Sequence, residues 1–207
     1  MARSLAPRPA MAALALALAL VLTAVVPAGR SAAAESLSGQ LLVAMPGMAD
    51  PRFVESVVFM VEHDAGGAMG LIVNRPVVDI ALTDLLDELE QDDDGVVGTI
   101  RMHYGGPVEP DQGFVLHSSD VLAEGSVVVD DAYALTVRPD MLRRMASGDG
   151  PRHSRFMMGY AGWGPGQLEA ELSHLVWFTI PAELSLVFAD DPAGVWERAM
   201  ARRGIDL

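Results

Sequence analysis

The chain contains no cysteine and no lysine. Without cysteine there is no disulfide framework, no thiolate nucleophile and no cysteine-based zinc or iron–sulfur site. Without lysine every basic residue is an arginine, and 14 of these stand against 28 acids in 207 residues. That balance offers no basic stripe to neutralise phosphates, which speaks against DNA or RNA as a partner. A nucleophile elbow, a Walker loop, a zinc-binding H-E-x-x-H helix and a dinucleotide-binding glycine fingerprint are all missing. None of His63, His103, His117, His153 and His174 has a second histidine at i, i+3 or i, i+4, the spacing of a helical metal site. No metal and no cofactor is therefore expected, and the motif search points away from an enzyme.

What is present in excess is apolar side chain, 51% of the chain, and it is unevenly spread. Residues 11–26 read MAALALALALVLTAVV without a charge. Arg3 and Arg8 precede this run, Pro27, Gly29 and Arg30 break it, and Ser31-Ala32-Ala33-Ala34 follows. The order is that of a secretory signal, and the run is shorter than the roughly 20 residues of a spanning helix. The expectation is a signal peptide at 1–34, cleaved after Ala34, and a single domain at 35–207 that is periplasmic or extracellular and keeps no stable membrane anchor. A true start near Leu37 would instead leave a complete cytoplasmic protein. The first 34 residues hold three arginines and no acid, so eleven arginines face 28 acids in the remainder, a net charge of −17.

Beyond Glu35 short apolar runs alternate with Gly, Pro and Asp. Strands are predicted at Leu41 to Ala44 and Ser56 to Val61, and Met69 to Val73 pairs with the second across the Asp64-Ala65-Gly66-Gly67 turn. Leu82, Leu85, Leu86 and Leu89 form the stripe of an amphipathic helix over 81–89. Glu90, Asp92, Asp94 and Gly95 imitate the start of a calcium loop, but Arg101 occupies the position of the bidentate acid, so a solvated acidic loop is the reading. Further strands are predicted at 99–104, 113–117, 127–129, 134–136, 155–160 and 175–180. Helices are predicted after Pro139, at 167–174, and after Asp191-Pro192, where an aspartate cap precedes a first-turn proline. This order predicts a mixed α+β fold with a central mixed β-sheet, flanking helices and room for a small second α+β subdomain.

Two clusters stand out as a candidate ligand or partner surface. The first runs from Met45-Pro46-Gly47-Met48 through Asp50-Pro51-Arg52-Phe53 and on to Asn74-Arg75-Pro76. The second is Gly159-Tyr160-Ala161-Gly162-Trp163-Gly164-Pro165-Gly166-Gln167-Leu168-Glu169. The surface residues drawn from these clusters and their neighbourhood are Arg52, His63, Arg75, His117, Trp163 and Gln167. In so acidic a chain Arg52 and Arg75 are expected in ion pairs. The glycines around Trp163 are read as turning the chain sharply and seating that indole in the core, so valine at 162 or 164 is expected to lower folding yield. A competing reading draws a hydrolase from His63, His117, Asp120 and the neighbouring serines, and it requires those groups to converge in one cleft.

Together with Tyr104-Gly105-Gly106-Pro107-Val108, Gly113-Phe114-Val115-Leu116-His117 and Trp177, these clusters resemble the bacterial YqgE/AlgH family from about Ser38 to Ile205. The resemblance implies an α/β fold with a core sheet and flanking helices, and no established catalytic residue or cofactor. Some members carry the label of transcriptional regulator; export and the charge of −17 both oppose such a role here. The leading functional expectation is a non-enzymatic binding or regulatory module outside the cytoplasm, with an unknown protein or small molecule as partner.

Overall fold

The computed structural model describes residues 36–89, 91 and 96–204. The apolar run at 11–26, the cleavage position after Ala34 and most of the acidic loop at 90–95 lie outside the described residues. Among the described residues the elements in chain order are β1 (Gln40–Ala44), β2 (Val57–Asp64), β3 (Gly67–Ile72), β4 (Pro76–Ala81), α1 (Leu82–Glu88), β5 (Thr99–Tyr104), β6 (Val108–Ser118), β7 (Val127–Val128) and β8 (Tyr133–Thr136). They continue with α2 (Asp140–Ser147), β9 (Ser154–Trp163), α3 (Gln167–Ser173), β10 (Trp177–Pro181), α4 (Leu184–Val187) and α5 (Val195–Met200). The strands form one curled sheet in the order β10-β1-β2-β3-β9-β6-β8-β7, with β4 and β5 joining it through β9. All pairings are antiparallel except β5 with β9, so the predicted mixed α+β fold is what the chain adopts.

β1 to β3 read as nearly continuous apolar runs because both of their faces are covered. Leu41, Val43, Phe59 and Leu71 pack on one side with Val187 of α4 and Val195 and Ala199 of α5. Leu42, Val58, Met60 and Ile72 pack on the other with Trp163, Trp177 and Leu168 of α3. Burial of such large side chains contributes about 1.5–3 kcal/mol each. A third cluster joins Leu85 and Leu86 of α1 and Met141 and Leu142 of α2 to Ile100, Val115 and Phe156. α2 ends at Gly148, which takes a left-handed conformation (φ 82°).

β9 organises the sheet. Along one edge it pairs with β3 at Ala161 to Trp163 and with β5 at Phe156 to Met158, and along the other with β6. Where β3 hands over to β5, Gly159 takes φ 68°, and a Cβ there would lie 2.4 Å from the Gly106 carbonyl oxygen. A Cβ on Gly106 would lie 2.1 Å from the Tyr160 carbonyl carbon. The two glycine motifs therefore fit into each other, backbone against backbone. The strand predicted to stop at Tyr160 continues to Trp163.

β4 was not expected. Proline is tolerated as its first residue because β4 pairs only with β5 and is an edge strand. The last helix starts at Val195 rather than beside Asp191-Pro192, because the Asp191 carboxylate accepts the Ala193 N–H in a local turn first.

Candidate functional site

The two sequence clusters meet. The 45–53 loop, the end of β9 and the segment from α3 to Trp177 enclose a cleft of about 520 Å³, within the range of small-ligand sites. Its apolar wall is aromatic: Trp163 and Trp177 pack edge to face at 6.1 Å, and Phe53 packs edge to face on Trp177 at 5.7 Å. Both indoles are almost fully buried, yet both N–H groups are satisfied by one acid. Glu171 Oε2 accepts from Trp163 Nε1 at 2.9 Å and from Trp177 Nε1 at 2.8 Å. Its Oε1 accepts from Gln167 Nε2 at 2.9 Å, and Gln167 Oε1 accepts the Gly164 N–H at 3.1 Å. Glu171 sits one helical turn after Gln167, so α3 presents both side chains to the cleft.

The chain that follows the 45–53 loop is held by Asn74 and Arg75. Asn74 Oδ1 accepts the Val57 N–H at 2.9 Å while its Nδ2 donates to the Glu55 carbonyl at 2.8 Å. Arg75 Nη2 donates to the Val54 carbonyl at 2.7 Å. These bonds fix the chain around Glu55, which has φ 55°, a conformation that costs a non-glycine residue. Arg75 thus positions the loop through a carbonyl and, among the described residues, is in no ion pair. Arg52 does form one, with Asp50 at 2.7 Å, and lies over the Phe53 ring at the cleft mouth. The hydrogen bonds from Arg52 hold the Asp50 carboxyl below its usual range.

Of the six residues expected on one surface, Arg52, Trp163 and Gln167 line the cleft. His63 is buried under the first described residues: its Nδ1 accepts the Leu37 N–H at 3.1 Å, which leaves Nε2 to donate to Glu169 Oε1 at 3.1 Å. The Glu169 carboxyl is lowered by its own backbone N–H and then by His63. His117 is a correction. It is 0% exposed, bonded to Thr136 Oγ1 and to the Ser118 carbonyl, and burial lowers its pKa, so it belongs to the core and not to a surface.

The convergence required of a hydrolase from His63, His117 and Asp120 does not occur. His63 is in register with Ala68 and through it with Trp163 at one end of β9, whereas His117 is in register with Ser154 at the other end. Nine strand residues separate those ends, about 30 Å at 3.3 Å per residue. Ser118 donates to Asp120 at 2.5 Å, a bond that lowers the Asp120 carboxyl, but His153 contributes only its backbone there and stacks its ring on Phe188.

A second buried polar cluster lies away from the cleft. Arg155, 6% exposed, donates from Nε to the Val187 carbonyl at 2.8 Å, from Nη2 to the Ala189 carbonyl at 2.6 Å and from Nη1 to His103 Nε2 at 2.5 Å. Accepting that bond makes His103 a neutral ring, with Nδ1–H donating to the Arg101 carbonyl at 3.2 Å. Burial, and after it the neighbouring Arg155, push the His103 pKa down to about 4, and burial brings Arg155 down to about 10. This cluster ties the segment after α4 to β9 and β5.

The glycines near Trp163 divide unexpectedly. The backbone demand falls on Gly67, Gly105, Gly106 and Gly159 by close approach and on Gly166 by its φ of 72°, while a Cβ at Gly164 would meet nothing within 4 Å and one at Gly162 only side-chain atoms at 3.3 Å or more. Trp163 is seated in the core as expected, 7% exposed. Glu171 went unnoticed in the sequence; its signal was an acid four residues after Gln167 and six before Trp177.

A curled, mainly antiparallel sheet flanked by helices, with an aromatic cleft in which Glu171 and Gln167 bond to each other and to the indoles or backbone around them, defines the class of this molecule. A family model described as AlgH-like matches residues 41–207, and the chain belongs to that family. It is 47% identical to a UPF0301 protein of Rhodospirillum rubrum, covering 82% of this chain and 88% of that one. It is 45% identical to a UPF0301 protein of a Methylobacterium species, covering 86% and 89%. Among solved structures it is similar to the solution structure of the AlgH protein from Pseudomonas aeruginosa, with 36% identity, a TM-score of 0.68, and coverage of 86% and 93%. A Corynebacterium diphtheriae protein solved by crystallography shares the fold at 22% identity and a TM-score of 0.65, covering 81% and 87%. The relatives carry family names rather than activities.

Proposed function

We propose that this chain is a non-enzymatic binding module, acting outside the cytoplasm, whose cleft between the 45–53 loop and α3 holds an aromatic or apolar group of a small molecule or protein segment. The observation that carries this reading is the way the cleft spends its polar groups. The carboxylate of Glu171 and the amide of Gln167 are consumed in orienting Trp163, Trp177 and the Gly164 backbone. Such an arrangement fixes a rigid aromatic wall, and a largely apolar cleft with a few placed polar groups suits the holding of an aromatic or apolar ligand group. The net charge of −17 in 35–207 favours a neutral or basic partner over nucleic acid.

The test is a titration of the 35–207 protein with a panel of one-ring and two-ring aromatic fragments, followed by NMR at the three indole N–H signals. Binding in the cleft shifts Trp163 and Trp177 and leaves Trp196, whose Nε1 donates to the Ala44 carbonyl, unchanged. Fragments that bind without moving the first two signals, or a panel in which none binds, would overturn the reading. Export has its own measurement. N-terminal sequencing of the periplasmic or secreted fraction should start at Glu35, and a cytoplasmic product starting near Leu37 would refute it.

A further inference from the structure

The cleft has a neighbour. An open depression of about 640 Å³, lined by Glu62, Asp64, Met69 and Tyr160 among others, shares Val108, Gly162 and Trp163 with it. The two meet around one edge of β9. The register with β6 ends at Val108 opposite Tyr160, whereas β9 runs on to Trp163 with β3 alone as its partner. Past Tyr160 this edge has no strand beside it among the described residues, so its main-chain groups can serve an incoming peptide bond.

Gly162 stands at that junction and is exposed. The fold does not demand a glycine there. Its φ lies outside the left-handed region, and a Cβ would lie 3.3 Å from the Tyr160 ring and 3.7 Å from a Val108 methyl, both movable side chains. This contrasts with Gly105, Gly106 and Gly159, where the added atom would come within 2.1–2.4 Å of backbone atoms. A glycine inside a strand weakens it, and at 162, where packing does not require one, it leaves room for a ligand or another backbone to come close. A side chain at 162 would stand in the passage between the two depressions.

Charge gives the direction of the occupant. Glu62 and Asp64 are exposed, and among the described residues neither is in an ion pair. Glu62 is in register with Met69 and Met69 with Gly162, two strand spacings, or about 10 Å. That distance corresponds to about three extended residues. We infer that the cleft and the acidic depression form one groove for an extended peptide segment that rounds the β9 edge, in which the residue crossing Gly162 sets an aromatic side chain in the Trp163–Trp177 cleft and a residue about three further on sets a basic side chain beside Glu62 and Asp64. The inference rests on the cleft being a binding site and adds the class of its partner.

The experiment uses the 35–207 protein and three capped probes: phenylalanine alone, a five-residue peptide with phenylalanine first and lysine fourth and fifth, and its analogue with glutamate in place of both lysines. The lysine peptide should bind at least tenfold tighter than the other two. Gly162→Val should remove that gain in a protein that still unfolds cooperatively, and the unaltered binding of capped phenylalanine is read instead in the Glu62 and Asp64 variant. Glu62→Gln with Asp64→Asn, both at exposed positions, should remove the preference for lysine over glutamate without relying on the Gly162 variant folding. Equal affinity for the two peptides, or full peptide affinity in folded Gly162→Val, would overturn the groove while leaving the cleft intact. Failure of all three probes together with the aromatic fragments would overturn the cleft itself.

Discussion

Acid should unfold this protein through one buried ring before its ordinary carboxylates titrate. His103 is 3% exposed and neutral, and its pKa falls from 6.5 to about 4 because burial disfavours the cation and Arg155 lies against it. Between these two values the unfolded chain holds a proton on His103 that the folded chain does not, so unfolding takes up a proton and acid promotes it. The stability is complete above about pH 7, is lost as pH falls through the interval, and changes no further below about pH 3, where both states are protonated. The separation corresponds to a ceiling of roughly 3.4 kcal/mol, of which about 3 kcal/mol is reached at pH 4. Urea denaturation of wild type and of His103→Gln, whose amide oxygen can still accept from Arg155, should be followed from pH 7.5 to pH 4. His117, displaced in the same direction, is present in both proteins and cancels. The stability of wild type relative to the variant should fall by about 3 kcal/mol across the interval. A difference that stays flat within about 0.5 kcal/mol would refute the neutral, Arg155-bonded His103.

Five substitutions at four positions test other parts of the structure. Glu171→Ala leaves two buried indole N–H groups without an acceptor and should cost about 3 kcal/mol, whereas Glu171→Gln keeps an oxygen and should cost about 1 kcal/mol; thermal unfolding should show the larger loss as a fall of roughly 6–12 °C. Gly106→Ala forces a methyl into the Tyr160 backbone and should abolish soluble expression, while Gly164→Ala, with open space around it, should change the urea midpoint by less than about 0.5 kcal/mol in stability. Asn74→Ala removes the acceptor of the buried Val57 N–H and should cost about 2 kcal/mol, with faster hydrogen exchange at Val57 as its signature.

Much of the fold was legible where burial is one-dimensional. Leu41 to Ala44, Thr99 to Tyr104 and the Leu82, Leu85, Leu86 stripe carry their periodicity in the sequence, and β1, β5 and α1 form there. β4 was hidden because Pro76 and Asp79 break its pattern, and only its place at an edge makes them tolerable. The length of β9 was hidden because its glycines suggest a turn; Gly159 is needed instead for a crossing with Gly106, 53 positions earlier in the chain. The candidate site was half legible. Unusual clusters of Gly, Trp and Met showed which segments to watch, but their meeting depends on β9 pairing with β3 and on β10 pairing with β1. His117 looked like a surface residue because it ends a predicted strand beside two serines; the hydroxyl of Thr136 on β8, which lets it be buried, lies nineteen residues away.

The position of β9 in the chain has a consequence during synthesis. Trp163 pairs with Ala68, 95 residues earlier, and Phe156 pairs with Met102 and Val115 on its two sides. Until the ribosome has released residue 163, β3, β5 and β6 have no common strand to join them, and the apolar faces of β2 and β3 have neither α4 nor α5 to cover them. Contacts of such long sequence separation form slowly. The nascent protein therefore stays open and adhesive until more than three-quarters of it exists, and it closes as a unit. Any factor that escorts the newborn chain must act within that interval, before β9 arrives.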